Sequence, residues 1–156
     1  MTDAEQLALA RQFIAVIPHA RALGMEVEEM GQGRAVLSMP WAPELVGDPS
    51  TGVIHGGAVS ALMDTCAGAA VMAHPNVTQV TATIDLRIEY MRAAQPGQRI
   101  RAEAVCHHVT RSVAFVRATA TDDDRARPVA TATGAFTAGG ASEVPALSAS
   151  PEEGGA

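Results

Sequence analysis

The second half of the chain alternates apolar and polar residues, and this pattern constrains the fold more than any other feature. Over residues 79–91 every second residue is apolar, which is the period of a strand with one buried face. Three further strands are predicted at about 99–108, 111–121 and 128–138, and the aspartates at 122–124 mark a turn between two of them. Successive strands joined by short turns favour an antiparallel sheet.

One long helix precedes these strands and must cover a face of the sheet. It is predicted over about 56–73. Two shorter strands are predicted at 25–30 and 34–39, and an N-terminal helix at 3–17. The apolar residues of the long helix share one side of it: Val59, Leu62, Met63, Cys66 and Ala70.

The chain has 156 residues, enough for one domain with a sizeable core. We expect an α+β domain over 20–139, preceded by the N-terminal helix within 1–19. The Gly, Ala, Ser, Pro and Glu residues of 140–156 cannot bury enough apolar surface to order themselves, so this tail is predicted to be flexible.

Composition and charge exclude several classes of protein. The net charge of −6 and the scattered arginines do not suit a nucleic-acid binder, which needs a basic patch. No apolar run approaches the roughly 18 residues of a membrane span, and the N-terminus lacks the basic start of a secretory signal. Cys66 and Cys106 show no paired spacing, so we expect buried free thiols and a cytoplasmic protein. Nucleotide-loop, serine-hydrolase and zinc motifs are missing, so no metal or cofactor is predicted.

A His-Gly-Gly at the start of the long helix, residues 55–57, is the main candidate for a functional site. Glycine lets a bound group approach the backbone, and the first amides of a helix have no acceptor within the helix. These amides lie at the positive end of the helix dipole, which suits an oxygen that becomes negative during a reaction. Farther along the helix, the Asp64 carboxylate can act as a base or nucleophile. The segment therefore offers both halves of an acyl-transfer site.

Simpler interpretations remain open at each of these residues. His55 can be an ordinary loop histidine, the two glycines can serve close packing of the helix, and Asp64 can be a surface carboxylate. Small residues favour a covered face around Asp64, where another backbone can approach closely: Ser60, Ala61, Ala67 and Gly68.

The spacing of Gly56 and Asp64 makes a separate prediction about assembly. Eight residues of helix place them roughly 12 Å apart. Both groups need contacts of about 3 Å to act on one carbonyl group. If both are catalytic, they come from different chains, which predicts a symmetric dimer with two equivalent sites.

Over about residues 20–138 the chain resembles the hotdog-fold acyl-CoA thioesterases of the phenylacetate-degradation (PaaI-like) type. It is similar as well to the 4-hydroxybenzoyl-CoA thioesterases, which carry their carboxylate on the central helix. The resemblance implies a curved antiparallel sheet wrapped around that helix. It rests on five segments: Thr-Gly-Val-Ile-His-Gly-Gly at 51–57, Leu-Met-Asp at 62–64, the strand 83–91, Pro-Gly at 96–97, and Thr-Arg-Ser-Val-Ala-Phe at 110–115.

The resemblance also implies roles for site residues. The amide of Gly56 would polarise the thioester carbonyl. Gly57 is assigned to substrate binding on its own chemistry, because a glycine lets a bound group approach the backbone. Asp64, contributed by the other subunit, would activate water or attack the acyl carbon. His55 would orient the loop or lie near the thioester, and the Thr83 hydroxyl would help to place the water.

Three further residues are assigned to substrate binding. Arg111 and Ser112 would lie near the CoA arm. At Asp48 the chain departs from many relatives, which have Asn or Gln six or seven residues before the histidine. An ionised carboxylate accepts hydrogen bonds but does not donate them, so Asp48 is either a second acid–base group or a turn residue before Pro49.

These features predict an acyl-CoA thioesterase that releases a free acid and CoA as a homodimer or a dimer of dimers. One alternative is a non-catalytic acyl-CoA-binding module of the same fold. The other is a hotdog enoyl-CoA hydratase, although that chemistry needs a differently placed histidine with Asp or Glu.

Overall fold

The computed structural model describes residues 2–139, so the predicted flexibility of the tail 140–156 lies outside the described residues. Three helices and eight strands form in this part of the chain, together with a 3-10 turn at Pro43–Leu45. Their bounds are α1 Asp3–Val16, α2 Pro18–Ala22, β1 Glu26–Gly31, β2 Arg34–Met39, β3 Val46–Asp48, β4 Val53–Ile54, α3 Gly56–Met72, β5 Thr83–Tyr90, β6 Ile100–Val109, β7 Val113–Thr121 and β8 Ala130–Thr137.

Six strands form one antiparallel sheet in the order β1-β2-β6-β7-β8-β5. The antiparallel arrangement is as predicted, but the expectation that consecutive strands pair is wrong between β5 and β6. β5 pairs with β8 at the far edge, and this contact continues past the strand, where the Met91 N–H donates to the Val129 carbonyl. The connection between β5 and β6 is long enough to cross to the other side of the sheet, so β6 can lie beside β2.

The sheet wraps around α3, and the core lies between them. The predicted apolar side of α3 is confirmed, because Val59, Leu62, Met63, Cys66 and Ala70 are all buried. Small side chains on the facing strands let the sheet come close to the helix: Ala102, Ala104, Ala114, Ala118, Ala120, Ala130 and Ala132.

The cysteines are free and buried, as predicted. The Cys66 thiol lies 3.4 Å from the carbonyl oxygens of both Ala35 and Ala102, between α3 and two strands. Burial raises the pKa of this thiol to about 12, so it stays neutral and acts as a small core residue.

The edge strand β5 is less buried than its alternation predicts. Leu86 and Ile88 pack against the core, but Ile84 is 56% exposed and Tyr90 is 49% exposed. The half-buried strand predicted over 79–91 therefore leaves part of its apolar face uncovered in a single chain. An exposed apolar edge of this kind is typical of a surface that pairs with another chain.

Within residues 2–139, no helix has the length and apolar character needed to cross a membrane.

Candidate active site

His55 is the residue that caps the N-terminus of α3. Its backbone is extended, with φ −63° and ψ 134°, and its Nδ1 accepts a hydrogen bond of 2.8 Å from the Gly57 N–H. The His55 N–H donates to the Leu45 carbonyl at 2.8 Å. A Cβ at Gly47 would lie 2.8 Å from the His55 Cα, so the β3–β4 hairpin packs directly against the cap. These contacts hold the imidazole in place at the start of the helix.

The cap leaves one amide of the first helical turn without a partner. Within residues 2–139, no acceptor is bonded to the Gly56 N–H. A Cβ at Gly57 would lie only 2.9 Å from His55 Nδ1, so the cap favours glycine at that position, whereas a Cβ at Gly56 would lie 3.4 Å from the Tyr90 ring, in ordinary van der Waals contact. The Gly56 N–H therefore lies at the positive end of α3 and is available to an incoming oxygen.

The structure brings Asp64 and Thr83 together within one chain. The Thr83 hydroxyl, at the first residue of β5, donates to Asp64 Oδ1 at 2.8 Å. Asp64 is half-buried, and next to it α3 presents the predicted face of small residues. At Gly68 on this face, a Cβ would lie 3.7 Å from the Thr81 methyl group, so the chain entering β5 packs close to the helix. The hydroxyl fixes one carboxylate oxygen of Asp64 and leaves the other for chemistry.

Gly56 and Asp64 are not brought together within one chain. The helix α3 is uninterrupted from Gly56 to Met72, so the eight-residue spacing keeps them roughly 12 Å apart. Within one chain, the Gly56 amide and the Asp64 carboxylate thus lie at separate positions along α3.

Asp48 is the last residue of β3, and its carboxylate is hydrogen-bonded to residues of the turn that leads to β4. It accepts hydrogen bonds from the Ser50 hydroxyl at 2.6 Å, the Ser50 N–H at 2.9 Å and the Thr51 hydroxyl at 2.9 Å. The bond from the Ser50 side chain, followed by that from Thr51, holds the pKa of Asp48 below its usual value. These contacts are typical of an Asx turn.

Arg111 and Ser112 lie in the exposed turn between β6 and β7, not in the strand predicted to start at 111. Their backbone carbonyls face the end of β8: the Ser112 carbonyl accepts from the Ala138 N–H, and a Cβ at Gly139 would lie 3.0 Å from the Arg111 carbonyl. Within the described residues of one chain, neither side chain is hydrogen-bonded to Gly56 or Asp64.

Tyr90 contacts the site and was missed in the sequence, where it counted only as an apolar position of a strand. Its hydroxyl donates to the Gly56 carbonyl at 2.6 Å and is also in hydrogen-bond contact with the Ser60 hydroxyl. One signal was available: the alternation places Tyr90 on the same face of β5 as Leu86 and Ile88, which pack towards α3.

Comparison with known proteins places this arrangement in a family. Residues 51–129, about half of the chain, match the family model described as Thioesterase superfamily. A solved protein from Pseudomonas aeruginosa is 37% identical, with a TM-score of 0.75, over 84% of this chain and 97% of that protein. The medium/long-chain acyl-CoA thioesterase YigI of Escherichia coli K12 is 28% identical over 122 residues, which are 70% of this chain and 78% of YigI. The PaaI protein of E. coli, at 22% identity and a TM-score of 0.76 over 88% of this chain and 94% of PaaI, shares the fold.

The chain belongs to the thioesterase superfamily. Its sheet wrapped around one central helix, with an additional N-terminal helix, is the hotdog fold of that family. The fold and the class of enzyme predicted from the sequence, a hotdog-fold thioester hydrolase, are therefore confirmed.

Proposed function

We propose that this enzyme hydrolyses acyl-CoA thioesters to a free acid and CoA. One observation carries the proposal: α3 combines an unbonded Gly56 amide at its N-terminus with a Thr83-bonded carboxylate at Asp64. A hydrolase that acts on an activated carbonyl needs a donor for the developing oxyanion and a group that supplies or activates a nucleophile. The name of the relative YigI supports CoA as the carrier.

In the proposed mechanism the Gly56 N–H donates to the thioester oxygen, and Asp64 acts at the carbonyl carbon. As a base, Asp64 takes a proton from water while the water oxygen bonds to the carbon. The C–S bond then breaks, and the CoA thiolate leaves and is protonated. As a nucleophile, Asp64 displaces the thiolate and forms an anhydride, which water cleaves. In both routes Thr83 holds Oδ1, and the free oxygen of Asp64 faces the substrate. His55 supports the Gly56 amide as the helix cap, and Gly57 gives the thioester room.

We propose that each site is shared by two subunits of a homodimer. Gly56 comes from one subunit and Asp64 from its partner, because the roughly 12 Å between them on α3 is too long for one substrate carbonyl. The exposed apolar residues of the edge strand β5 support an interface beside Asp64 and Thr83. Two such dimers can pair further to form a dimer of dimers. We also propose that Arg111 and Ser112 contact the CoA arm of the substrate.

An apolar cavity next to Gly56 suggests which acyl groups are accepted. It measures about 280 Å³ in a single chain. Arg92 is the one charged residue among those that line it, and its guanidinium is bonded to Asp122. The other walls are mostly aliphatic: Val53, Ile54, Val59, Met91, Ala93, Ala94 and Val129. Tyr90 is the one aromatic residue among those that line it, and its hydroxyl is already bonded to Gly56. We propose an aliphatic acyl chain as the substrate. The free buried cysteines suit the reducing cytoplasm, where we expect the enzyme to act.

The test is a panel of acyl-CoAs incubated with the purified enzyme and a thiol-reactive dye. The panel covers saturated chains of increasing length, benzoyl-CoA and an enoyl-CoA. We expect thiol release with the saturated chains, and much less with benzoyl-CoA. An Asp64→Asn preparation is the control for contaminating thioesterases. Loss of enoyl absorbance without thiol release would instead show a hydratase, and binding without turnover a non-catalytic module.

A further inference from the structure

We propose that Tyr90 is a positioning residue that holds the Gly56 amide in the orientation needed to polarise the thioester. This inference rests on the proposed function of that amide. Tyr90 is the last residue of β5, and its hydroxyl donates to the Gly56 carbonyl at 2.6 Å. The contact joins the edge strand of the sheet to the first residue of α3.

The peptide unit between Gly56 and Gly57 is held from both sides. Its carbonyl accepts from Tyr90, and its N–H donates to His55 Nδ1 at 2.8 Å. Two successive glycines have the greatest backbone freedom of any dipeptide, and the first turn of a helix lacks the bonds that restrain later turns. With this peptide plane held and His55 anchored to the β3–β4 hairpin, the backbone dihedrals of Gly56 are restrained. The direction of its free N–H follows from them.

The ring of Tyr90, like its hydroxyl, restrains Gly56. A Cβ at Gly56 would lie 3.4 Å from the Tyr90 Cζ, so the ring packs directly over the glycine. The Ser60 hydroxyl, one turn along α3, contacts the Tyr90 oxygen. The phenol can therefore donate to Gly56 while it accepts from Ser60, which uses both of its hydrogen-bonding functions.

Core packing does not account for Tyr90. Its side chain is about half exposed in a single chain, yet its hydroxyl is bonded to helix backbone instead of being left to water. The same strand supplies Thr83 to Asp64. β5 thus contacts both half-sites of one subunit: its first residue donates to the Asp64 carboxylate, and its last residue donates to the carbonyl of Gly56.

The test is Tyr90→Phe, which keeps the ring and removes the hydroxyl. We expect kcat to fall about three- to ten-fold, the size of one neutral hydrogen bond, with KM almost unchanged because the amide acts on the developing charge. Amide hydrogen exchange followed by NMR should be faster at Gly57, whose N–H is bonded to His55 Nδ1. The matched control is Ser60→Ala, which keeps the Tyr90–Gly56 bond and should change both readouts less. Circular dichroism and Tm establish that each variant is folded.

The outcomes separate this inference from the proposed function. Unchanged exchange at Gly57 together with unchanged kcat would overturn the role of Tyr90, even if the wild-type enzyme is a good thioesterase. Faster exchange with unchanged kcat would show that Tyr90 holds the peptide but that the Gly56 amide does not polarise the substrate, which overturns the proposed mechanism. A rise in KM alone would make Tyr90 a binding residue and contradict the positioning role.

Discussion

At the scale of single residues, the site depends on which hydrogen-bonding groups already have a partner within the chain. His55 uses Nδ1 to cap α3, and Asp64 uses one oxygen to accept from Thr83. The cap satisfies the Gly57 amide and leaves the Gly56 amide without an acceptor among residues 2–139, so the histidine determines which amide of the first turn is available. Its position beside the glycines is explained by this backbone contact without any proton transfer.

The first prediction concerns the carboxylate. Asp64→Asn keeps the size and polarity of the side chain but removes the base and nucleophile, so kcat should fall by at least about 10²-fold. Substrate affinity should be kept or improve. Steady-state kinetics with the best acyl-CoA provide the measurement, and Asp123→Asn, in an exposed turn, is the matched control. An Asp64→Asn enzyme with most of its activity would contradict the assignment.

The second prediction concerns Asp48. Its carboxylate is bonded to Ser50 and Thr51, and Asn also suits such turns, so Asp48→Asn should change kcat/KM little. The pH–rate profile should show one acidic inflection in both proteins. If Asp48 instead takes part in catalysis, two interacting carboxylates would give two acidic inflections, one of which the Asn variant would lose.

At the scale of elements, a buried carboxylate ties the connection after β5 to the end of β7. Asp122, which is 1% exposed, accepts two hydrogen bonds of 2.7 Å from the Arg92 guanidinium. It also accepts from the backbone N–H groups of Gln95 and Asp124. The turn predicted at 122–124 is present, but its role in holding the long crossover was not visible in the sequence.

The third prediction follows from this cluster. Asp122→Asn should destabilise the fold by at least about 2 kcal/mol at pH 7, because it leaves buried donors poorly satisfied. The Arg92 guanidinium holds the pKa of Asp122 well below its usual range. The stabilisation is therefore present above the unfolded-state pKa of about 4 and is lost as the pH falls further. Denaturant titrations of both proteins at several pH values measure this, and the difference between them should shrink in acid. A difference that stays constant with pH would contradict the ion pair.

At the scale of the whole molecule, two inactive variants should complement each other. Asp64→Asn and a bulky replacement such as Gly56→Trp each disable every site of a homodimer. A mixed dimer has one site with both defects and one with neither. After subunit exchange of an equal mixture, about a quarter of wild-type activity should return, since half of the dimers are mixed and each has one intact site. Proven exchange without recovery would place each site within one chain.

The interface itself can be tested at β5. Ile84→Lys puts a charge on the exposed apolar edge and should weaken the dimer, together with the activity, in sedimentation and dilution assays. Val105→Lys, an exposed apolar residue of β6 that lies away from this edge, is the control and should leave the dimer intact. Equal behaviour of the two variants would argue against the β5 interface.

Features that depend on neighbours in the chain were determined by the sequence. β2 forms over Arg34–Met39 as predicted, and α3 buries the predicted apolar side, because the period of the side chains reports which face an element buries. The Gly-Gly after His55 and the carboxylate at Asp64 were likewise visible as candidate chemistry.

Contacts that depend on how the sheet wraps around the helix were decided only by the tertiary structure. β5 lies at the edge of the sheet, beside β8. In this position Thr83 is hydrogen-bonded to Asp64 and Tyr90 to Gly56, across separations of 19 and 34 residues in the chain. Alternation gives the face of a strand but carries no information about its neighbour in the sheet. For the same reason the sequence could propose a free amide at the start of α3, while the structure was needed to show that His55 bonds Gly57 and leaves Gly56 open.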